Sequence, residues 1–404
     1  MWVFYFFAAI SIWLGLVSLR GGVRFVRYLQ AELAKEYQEF TPFATVFVPC
    51  RGVEEGLTEN ISAIFAQDYP RFETIFVSDH AGDPALAIIE EARRSFEGKS
   101  GPAARFVISG PATDSGQKVH NLRAAIPAAD PQSEVFVFVD TDARPSANWL
   151  HYLVRPLQDP ELGAATGYRW FIPVRGGIAS HLRSVWNAAI ASALGERLEK
   201  NFCWGGSTAI RRETFNQRKV LEYWQGTVSD DFALTRALHE GELPIKFVPQ
   251  CLTASFEDCT FGELVEFTTR QLKITRAYAA HLWRGVLIGG ILFVLVFFGG
   301  IALVVLRAWL GLSFLTPLVL LLIIFALGSM KSHFRLRAVS QVIPDRRIRS
   351  FGTALAQLTL WPLASVLYLY NALAAAVSRR ITWRGITYEL KSPSETVILS
   401  REPD

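Results

Sequence analysis

Two aspartates follow a strongly apolar segment near the middle of the chain. The segment Val135–Asp142 reads VFVFVDTD, so Asp140 and Asp142 stand one residue apart at its end. Such a run of β-branched and aromatic residues is typical of a strand buried on both faces of a parallel sheet. Ligands of open α/β sheets bind beyond the carboxyl ends of the strands, where both carboxylates would project from the same side of the pleat. Such a pair suits Mg²⁺ or Mn²⁺ bridging nucleotide phosphates, although the same letters also fit an ordinary strand-to-turn junction.

Further aspartates stand at the ends of predicted elements. Asp79 closes a second apolar run, and Asp230 with Asp231 precedes a helical pattern in TVSDDFALTRAL. Taken singly, each of these aspartates could have a purely structural role. Aspartates are common in loops, and Ser229 or Asp230 would make a good helix N-cap. Taken together on one doubly wound sheet, these carboxylates predict the rim of an active site.

Strand-like and helical patterns alternate from Thr41 onward. The predicted strands are Ala44–Pro49, Glu73–Asp79, Ala104–Ser109 and the run that ends at Asp140, and the predicted helices are Leu57–Phe65 with Thr58 as its cap, Leu86–Phe96, Asn121–Ala125 and Ile178–Lys200. This alternation predicts βαβ units and a Rossmann-like α/β sheet. No strand is followed by a Gly-x-Gly-x-x-Gly or P-loop motif, which disfavours a dinucleotide oxidoreductase and a P-loop NTPase.

Hydrophobic residues make up 50% of the 404 residues, and they are concentrated near the two ends of the chain. Four apolar stretches have about the length that crosses a hydrocarbon core of roughly 30 Å. They are Trp2–Leu19, Val286–Leu306, Leu312–Met330 and Phe351–Val377. The last stretch contains Pro362, and it is either a kinked span or a broken segment that re-enters the membrane.

Charge and cysteine content indicate where the globular part lies. Arg20, Arg24 and Arg27 follow the first apolar stretch and none precedes it, so a secretory signal is disfavoured and the positive-inside rule places the globular domain in the cytoplasm. We therefore expect a multi-pass protein of the cell (inner) membrane. The four cysteines show no metal-ligand spacing, as expected in a reducing compartment. Basic residues cluster beside the apolar stretches, which fits anionic lipids and argues against nucleic acid.

The order of these segments resembles the membrane-bound family 2 type glycosyltransferases, most closely the ceramide glucosyltransferase group and its bacterial relatives. The segments that carry the resemblance are VPCRGVEEGL (Val48–Leu57), SDHAGDPA (Ser78–Ala85), KVHNL (Lys118–Leu122), VDTDA at Asp140, GGSTAIRRE (Gly205–Glu213), SDDF at Asp231 and ITWRGITYEL (Ile381–Leu390). One departure concerns the group's last motif, Gln or Arg, two residues, then Arg-Trp. Here RQLKI keeps positive charges at Arg270 and Lys273, while Ile274 replaces the tryptophan.

The resemblance implies a nucleotide-sugar-binding glycosyltransferase domain of the GT-A type between transmembrane helices. The expected regions are an N-terminal transmembrane anchor (1–20), a cytoplasmic glycosyltransferase domain (41–260), an interfacial amphipathic helix (261–282), a C-terminal transmembrane region (283–377) and a tail (378–404). The implied reaction moves a sugar, with glucose expected, from a UDP-sugar to the hydroxyl of a membrane lipid, with inversion.

Each candidate site residue has an expected role in that reaction. Asp231 is the expected general base, and Asp230 beside it would raise its pKa by like-charge repulsion. Residues expected at the nucleotide sugar are Asp79, Lys118, Asp140, Arg270 and Lys273. Asp140 and Asp142 are the expected ligands of Mg²⁺ or Mn²⁺.

Two other functions remain open at this stage. A processive polysaccharide synthase would use the same chemistry, but it also needs a channel through the bilayer. A non-catalytic membrane scaffold or transporter belongs to a different class, and the apolar stretches carry charges only at their ends, whereas transport paths usually contain some. The sequence leaves open the sugar, the acceptor lipid and the oligomeric state.

Overall fold

The structure is a computed structural model, and it describes residues 1–36, 38–96 and 102–402. The chain forms two compact units. The helical unit comprises Met1–Gln30, Phe171–Ser192 and Glu257–Ser378, and the sheet unit comprises Ala31–Trp170, Ala193–Phe256 and Arg379–Asp404.

A mixed sheet forms the centre of the sheet unit. Its strands are β1 (Ala44–Pro49), β2 (Phe72–Ser78), β3 (Ala103–Ile108), β4 (Val135–Phe138), β5 (Ala164–Ile172), β6 (Thr208–Arg211) and β7 (Ile245–Phe256). They are arranged in the order β3-β2-β1-β4-β6-β5-β7. The first four strands are parallel, which confirms the predicted Rossmann-like α/β fold, whereas β6 runs antiparallel to both β4 and β5.

Fourteen α-helices lie within the described residues. They are α1 (Trp2–Leu33), α2 (Leu57–Phe65), α3 (Pro84–Ser95), α4 (Gln117–Ala125), α5 (Trp149–Val154), α6 (Ile178–Ala191), α7 (Arg212–Gln217), α8 (Val220–Tyr223), α9 (Asp230–Glu240), α10 (Phe261–Tyr278), α11 (Ala280–Trp309), α12 (Leu315–Val339), α13 (Phe351–Thr359) and α14 (Trp361–Val377).

The start of α2 differs from the prediction, whereas its bounds agree with it. Thr58 was predicted to cap this helix, but Gly56 occupies the N-cap position with φ 78° and no side chain caps the helix. Thr58 therefore lies inside the first turn, and the prediction is wrong. Glycine occupies the N-cap because it can adopt the left-handed backbone conformation that this position requires. At α9 the predicted cap is confirmed, since the Ser229 hydroxyl accepts a hydrogen bond from Phe232 N at 3.4 Å.

Helix α6 is shorter than predicted. It ends at Ala191 instead of continuing to Lys200. The Asn201 side chain explains the early end, because it accepts a hydrogen bond from Gly195 N at 2.9 Å and donates one to Gly195 O at 2.9 Å. These bonds fold the segment back into a turn, which satisfies backbone groups that a longer helix would have used.

Aromatic residues fix the position of β4. The Phe47 ring stacks on Phe138 with a centroid distance of 5.6 Å and meets Phe136 edge-to-face at 5.3 Å. Phe215 and Trp224 cover the other side of these rings, and all five side chains are buried. This packing holds the end of β4 rigidly, immediately before Asp140.

The C-terminal tail forms a second sheet within the sheet unit. It has three antiparallel strands, β8 (Arg380–Trp383), β9 (Ile386–Ser392) and β10 (Glu395–Arg401). The Tyr388 hydroxyl accepts a hydrogen bond from Gln117 N at 3.1 Å. Gly226, with φ 68°, lies so close to the turn before β10 that a Cβ there would stand 2.0 Å from Ser394 O. The tail is therefore a packed part of the sheet unit.

The helical unit contains helices long and apolar enough to cross a membrane. Within the described residues these are α1, α11 and α12, whose most apolar stretches of 18 residues have mean hydropathies of 2.0, 2.8 and 1.9. Helices α13 and α14 together pass the same test but are bent by 56° at their junction. Pro362 explains this bend, because its ring lacks an N–H group and clashes with the preceding turn of a continuous helix. Such a bend fits both structures expected for the last apolar stretch, a kinked span and a broken segment that re-enters the membrane.

Helix α10 begins where the amphipathic pattern predicted. A capping box starts it: Thr260 Oγ1 accepts from Glu263 N at 3.3 Å, and the Glu263 carboxylate accepts from Thr260 N at 2.8 Å. These two bonds satisfy backbone amides that have no partner inside the helix. The helix ends at Tyr278, inside the predicted segment 261–282, and α11 begins at Ala280.

Candidate active site

The carboxylates beyond β4 lie against a buried lysine. The Nζ of Lys118, on the first turn of α4, is 2.7 Å from Asp140 Oδ1 and 3.2 Å from Asp230 Oδ1. Asp230 comes from the first turn of α9. The segment after β4 and the start of α9, which are far apart in the sequence, therefore meet at one ammonium group. The structure therefore brings together three of the residues that the sequence analysis singled out.

A second cation at this site was missed by the sequence analysis. The Arg169 guanidinium is 2.8 Å from Asp142 Oδ2 and 3.5 Å from Asp140 Oδ2, and it lies over the Trp204 ring at 4.9 Å from the centroid. A signal was present, since Arg169 is the one charged residue in the otherwise uncharged segment AATGYRWFI of β5. A charge inside such a strand indicates a partner at the sheet.

Burial and like charges set the protonation of the cluster. The pKa of Lys118 is raised: burial alone would lower it, but the Asp140 and Asp230 carboxylates outweigh that effect. Burial alone would raise the pKa of Asp142, but the positive charges of Arg169, Arg384 and Lys118 together lower it. Burial raises the pKa of Asp230 to about 7, with the Asp231 and Asp140 charges adding to the rise and Lys118 opposing it.

A glycine turn before β6 lets these groups approach one another. A Cβ on Gly205 would stand 2.3 Å from Asp230 Oδ2 and 2.6 Å from Lys118 Nζ. Any side chain at this position would displace the ion pair, since real Cβ atoms do not come within such distances of other heavy atoms. The GGSTAIRRE segment, which carries part of the family resemblance, thus has a steric role in the structure.

Asp231 occupies a different environment from Asp230. Its carboxylate accepts a hydrogen bond from Phe232 N at 2.8 Å and contacts the Ser229 hydroxyl. Asp231 is partly exposed, whereas Asp230 is only 5% exposed. The sequence predicts a raised pKa at Asp231, and the structure shows a pKa raised by burial at its neighbour Asp230.

Asp79 lies at the end of β2 and forms its own set of contacts. Its carboxylate is 2.5 Å from the Arg51 guanidinium and 2.9 Å from His80 Nδ1. Arg401 of the tail is 4.0 Å away. The neighbouring Arg384 guanidinium donates to Arg51 O at 2.6 Å and pairs with Glu54. The sequence analysis assigned no role to these arginines, and the two from the tail reach this edge only because the tail folds back.

The two cations of the last motif belong to the helical unit. Arg270 and Lys273 lie on α10, where the Arg270 guanidinium is 4.0 Å from Glu266 and 5.7 Å from the Phe267 ring centroid. Ile274, which replaces the motif tryptophan, is 6% exposed. The isoleucine therefore fills a buried position of the helical unit.

The two carboxylates beyond β4, Asp140 and Asp142, suit a divalent cation that is also bound by a nucleotide. Asp140 and Asp142 both face Arg169, so their oxygens already surround one positive charge. In the described part of the chain no three His, Cys, Asp or Glu side chains form a complete metal site. Mg²⁺ at nucleotide sites usually takes only one or two carboxylates and completes its shell with phosphates and water. The two aspartates fit that requirement.

The structure therefore has a carboxylate pair beyond the central strand of a Rossmann-like sheet, with the cations Lys118 and Arg169 beside it. The family model "Glycosyl transferase family 21" matches residues 3–396, and the chain belongs to that family. This result confirms the resemblance to the ceramide glucosyltransferase group, and it identifies the protein as a glycosyltransferase.

Similar solved structures include a mannosyltransferase and a synthase. PcManGT from Pyrobaculum calidifontis, in complex with GDP-Man and Mn²⁺, is 18% identical, with 92% of this chain and 98% of that chain covered and a TM-score of 0.47. Glucosyl-3-phosphoglycerate synthase from Mycobacterium tuberculosis, in complex with phosphoglyceric acid, is 16% identical over 63% of this chain and 84% of that chain, with a TM-score of 0.38. At these identities the similarity concerns the fold alone.

Replacing Asp230 with asparagine is expected to change how stability depends on pH. The folded-state pKa of about 7 lies above the ordinary value of 3.8, so the contribution of Asp230 is fully present below pH 3.8 and is lost as the pH rises through 7. One pKa unit corresponds to about 1.4 kcal/mol. As the pH rises from 5 to 8, we expect the free energy of unfolding of Asp230→Asn to increase relative to that of the wild type by at least this amount.

The measurement is thermal unfolding of the full-length protein in detergent and metal-free buffer at several pH values. Asp114→Asn, at an exposed loop position, is the matched control and should follow the wild type throughout. A difference between Asp230→Asn and the wild type that stays constant from pH 5 to pH 8 would contradict the assignment.

Proposed function

We propose that the protein is an inverting hexosyltransferase that moves a sugar, with glucose as the first candidate, from a UDP-sugar to the hydroxyl of a membrane lipid. The observation that carries the proposal is the cluster of Asp140, Asp142 and Asp230 around Lys118 and Arg169. The apolar helices support a lipid acceptor, because a lipid head group meets a water-soluble donor only at the membrane surface.

The cations of the cluster suit a diphosphate leaving group. Negative charge develops on the β-phosphate as the bond to the sugar breaks, and fixed cations at that point lower the barrier. Lys118 and Arg169 are both held by carboxylates in the sheet unit, so they are oriented before a donor arrives. Asp79, with Arg51 beside it, is assigned to the uracil or ribose of the donor, and Arg270 and Lys273 are assigned to its phosphates.

Asp140 and Asp142 are the residues that would hold Mg²⁺ or Mn²⁺. A divalent cation at a diphosphate neutralises the charge that develops on the leaving group. The chain supplies the carboxylates and keeps them close together through the shared contact with Arg169.

We assign the general base to Asp231. An acceptor hydroxyl must approach the base within hydrogen-bond distance, and Asp231 is the partly exposed member of the pair, whereas Asp230 is enclosed beside Lys118. A single displacement at an α-linked donor, with Asp231 taking the proton from the acceptor hydroxyl, gives a β-glycoside. Asp230 acts by positioning Lys118.

Asp231→Asn is expected to lower turnover by about 10²–10⁴-fold, the usual contribution of a general base. Donor binding should stay near that of the wild type, because Asp231 makes no ion pair within the described cluster. The assay follows sugar transfer from UDP-glucose to lipid extract by the full-length enzyme, with donor affinity measured by calorimetry.

The matched control is Asp230→Asn, which removes the neighbouring carboxylate and weakens the hold on Lys118. It should lower donor affinity more than Asp231→Asn does. If Asp231→Asn keeps near-normal turnover while Asp230→Asn is inactive, the two roles must be exchanged. Mass spectrometry of the product should show one added hexose, whereas a ladder of sugars would favour a processive synthase.

Removal of divalent cations is expected to abolish transfer and to weaken donor binding by at least tenfold. Asp140→Asn should lose most of the metal-dependent part of the donor affinity, because one of the two carboxylates is then neutral. Calorimetry with UDP-glucose, with and without Mn²⁺, measures this part directly. Full activity in excess chelator would refute the role that we assign to the carboxylate pair.

The membrane topology proposed here follows from where the chain leaves and re-enters the sheet unit. The chain leaves it after Phe256 and returns at Arg379, and the tail is hydrogen-bonded there through Tyr388. It must therefore cross the membrane an even number of times in between. Because α11 and α12 account for two crossings, the bent pair of α13 and α14 enters and leaves on the same face. With Arg20 at the inner end of α1, this face is the cytoplasmic one.

Accessibility labelling with an impermeant thiol reagent in right-side-out vesicles tests this topology. A cysteine introduced at Leu312, between α11 and α12, should be labelled. Cysteines at Glu161 of the sheet unit and Ser394 of the tail should react only after permeabilisation. All three positions are exposed, and Cys259→Ala removes the partly exposed native thiol. Labelling of the Ser394 position in sealed vesicles would show that the bent pair spans the membrane.

A further inference from the structure

The helical unit encloses a cavity that the sugar-transfer chemistry does not use. Its volume is about 300 Å³, and it lies between α1, α6, α11, α12 and α14. The wall is mostly apolar, with Leu14, Val185 and Ile324 among its residues, but Lys331 and Arg335 of α12 also line it. A pocket with apolar walls and a few polar groups at one place is the usual form of a small-molecule site.

Within the described residues, the two cations in this cavity have no acidic partner. Arg335 is 4% exposed, and its guanidinium donates a hydrogen bond to the Ser332 hydroxyl on the same helix, at 3.3 Å. Its Nε is buried without a hydrogen-bond partner. Lys331 Nζ donates to Ser18 Oγ at 2.7 Å. In the part of the chain that the structure describes, neither residue forms a salt bridge. Buried charges are ordinarily paired because desolvation is costly.

The cavity also contains an unused hydroxyl group. Ser11 Oγ is buried without a hydrogen-bond partner, and Ser11 lines the same cavity. Ser11 lies seven residues before Ser18 on α1, which is about 10 Å along a helix. The cavity thus has a cationic end near Lys331 and a lone polar group farther along the same wall.

The cationic end of the cavity lies beside the basic segment in the second half of α1. A Cβ on Gly22 would stand 3.2 Å from Lys331 Cγ, and Arg20 and Arg24 flank that glycine. Lysine and arginine near the ends of spans commonly extend toward the lipid head groups. Arg335 differs from that pattern because it is enclosed by protein, so a counter-charge must enter the cavity to reach it.

We propose that this cavity binds the anionic head group of a membrane phospholipid. The lipid phosphate pairs with Lys331 and Arg335, since a guanidinium donates two parallel hydrogen bonds to phosphate oxygens and an ammonium adds a point charge. Ser11 donates to an oxygen of the lipid backbone. A volume of about 300 Å³ is at the lower limit for ligand sites, so it holds the head group and the first part of one chain, with the remainder in the bilayer.

The occupant is a phospholipid and not a neutral lipid because two unpaired cations would stay unpaired beside a hydroxyl head group. The proposal is independent of the sugar-transfer function, since it rests on residues of the helical unit that have no role in the proposed chemistry. An activity assay is therefore unnecessary for its test.

The experiment is native mass spectrometry of the full-length protein released from detergent with defined lipids. Wild-type protein should retain one phosphatidylglycerol molecule and should not retain diacylglycerol with the same chains. The double variant Lys331→Gln/Arg335→Gln should bind phosphatidylglycerol at least tenfold more weakly. Arg337→Gln, at an exposed position of the same helix, is the matched control and should bind as the wild type does.

A second variant and a second measurement separate loss of binding from misfolding. Lys331→Arg/Arg335→Lys keeps both charges and should keep most of the binding. Phosphatidylglycerol should raise the thermal unfolding midpoint of the wild type and of this exchange variant, but not that of the double glutamine variant. Equal binding by the glutamine variant, equal retention of diacylglycerol, or loss of binding in Arg337→Gln would overturn the proposal. Full displacement of the lipid by millimolar glycerol 3-phosphate would also overturn it, because the site would then bind free phosphate.

Discussion

The ion pairs of Lys118 are the interactions on which the candidate active site depends. This one ammonium group contacts Asp140 beyond β4 and Asp230 at the start of α9, and these two residues are 90 positions apart in the sequence. Burying such a group is costly unless every charge is paired, so each partner's position is constrained by the others. An apolar cluster of the same volume would often be equally or more stable. The retention of charges here is therefore better explained by chemistry than by folding.

The charges of the cluster do not balance, and this imbalance explains its electrostatics. Three carboxylates, Asp140, Asp142 and Asp230, face two cations, Lys118 and Arg169. Burial, together with the nearby Asp231 and Asp140 charges, raises the pKa of Asp230 to about 7. A nucleotide diphosphate would bring still more negative charge into the same place. A divalent cation at Asp140 and Asp142 would compensate for both, which is why we treat metal, donor and cluster as one functional assembly.

Local patterns in the sequence predict many of the strands and helices that carry the site. They do not predict the contacts between residues far apart in the sequence. The bounds of β1 and α2 agree with the prediction, and Asp140 lies beyond a buried strand as expected. These features depend on the alternation and periodicity of neighbouring residues. The contact of Arg169 with Asp142 and the return of the tail at Arg384 depend on strands that pair across the sheet or fold back from the C-terminus. Nothing in a local window specifies such pairings, and burial, which gives the raised pKa to Asp230, is equally non-local.

The carboxylate cluster of the sheet unit and the cavity of the helical unit have opposite excess charges. Each excess indicates the charge of the ligand that would bind there. In the sheet unit, carboxylates outnumber cations, so a cation such as Mg²⁺ or Mn²⁺ completes the cluster. In the cavity of the helical unit, Lys331 and Arg335 have no carboxylate partner within the described chain, so an anion completes it. A water-soluble metal–nucleotide complex satisfies the first requirement, and a phospholipid head group satisfies the second. Both requirements are met together only where an aqueous phase adjoins a bilayer, which is also where a sugar donor and a lipid acceptor must meet.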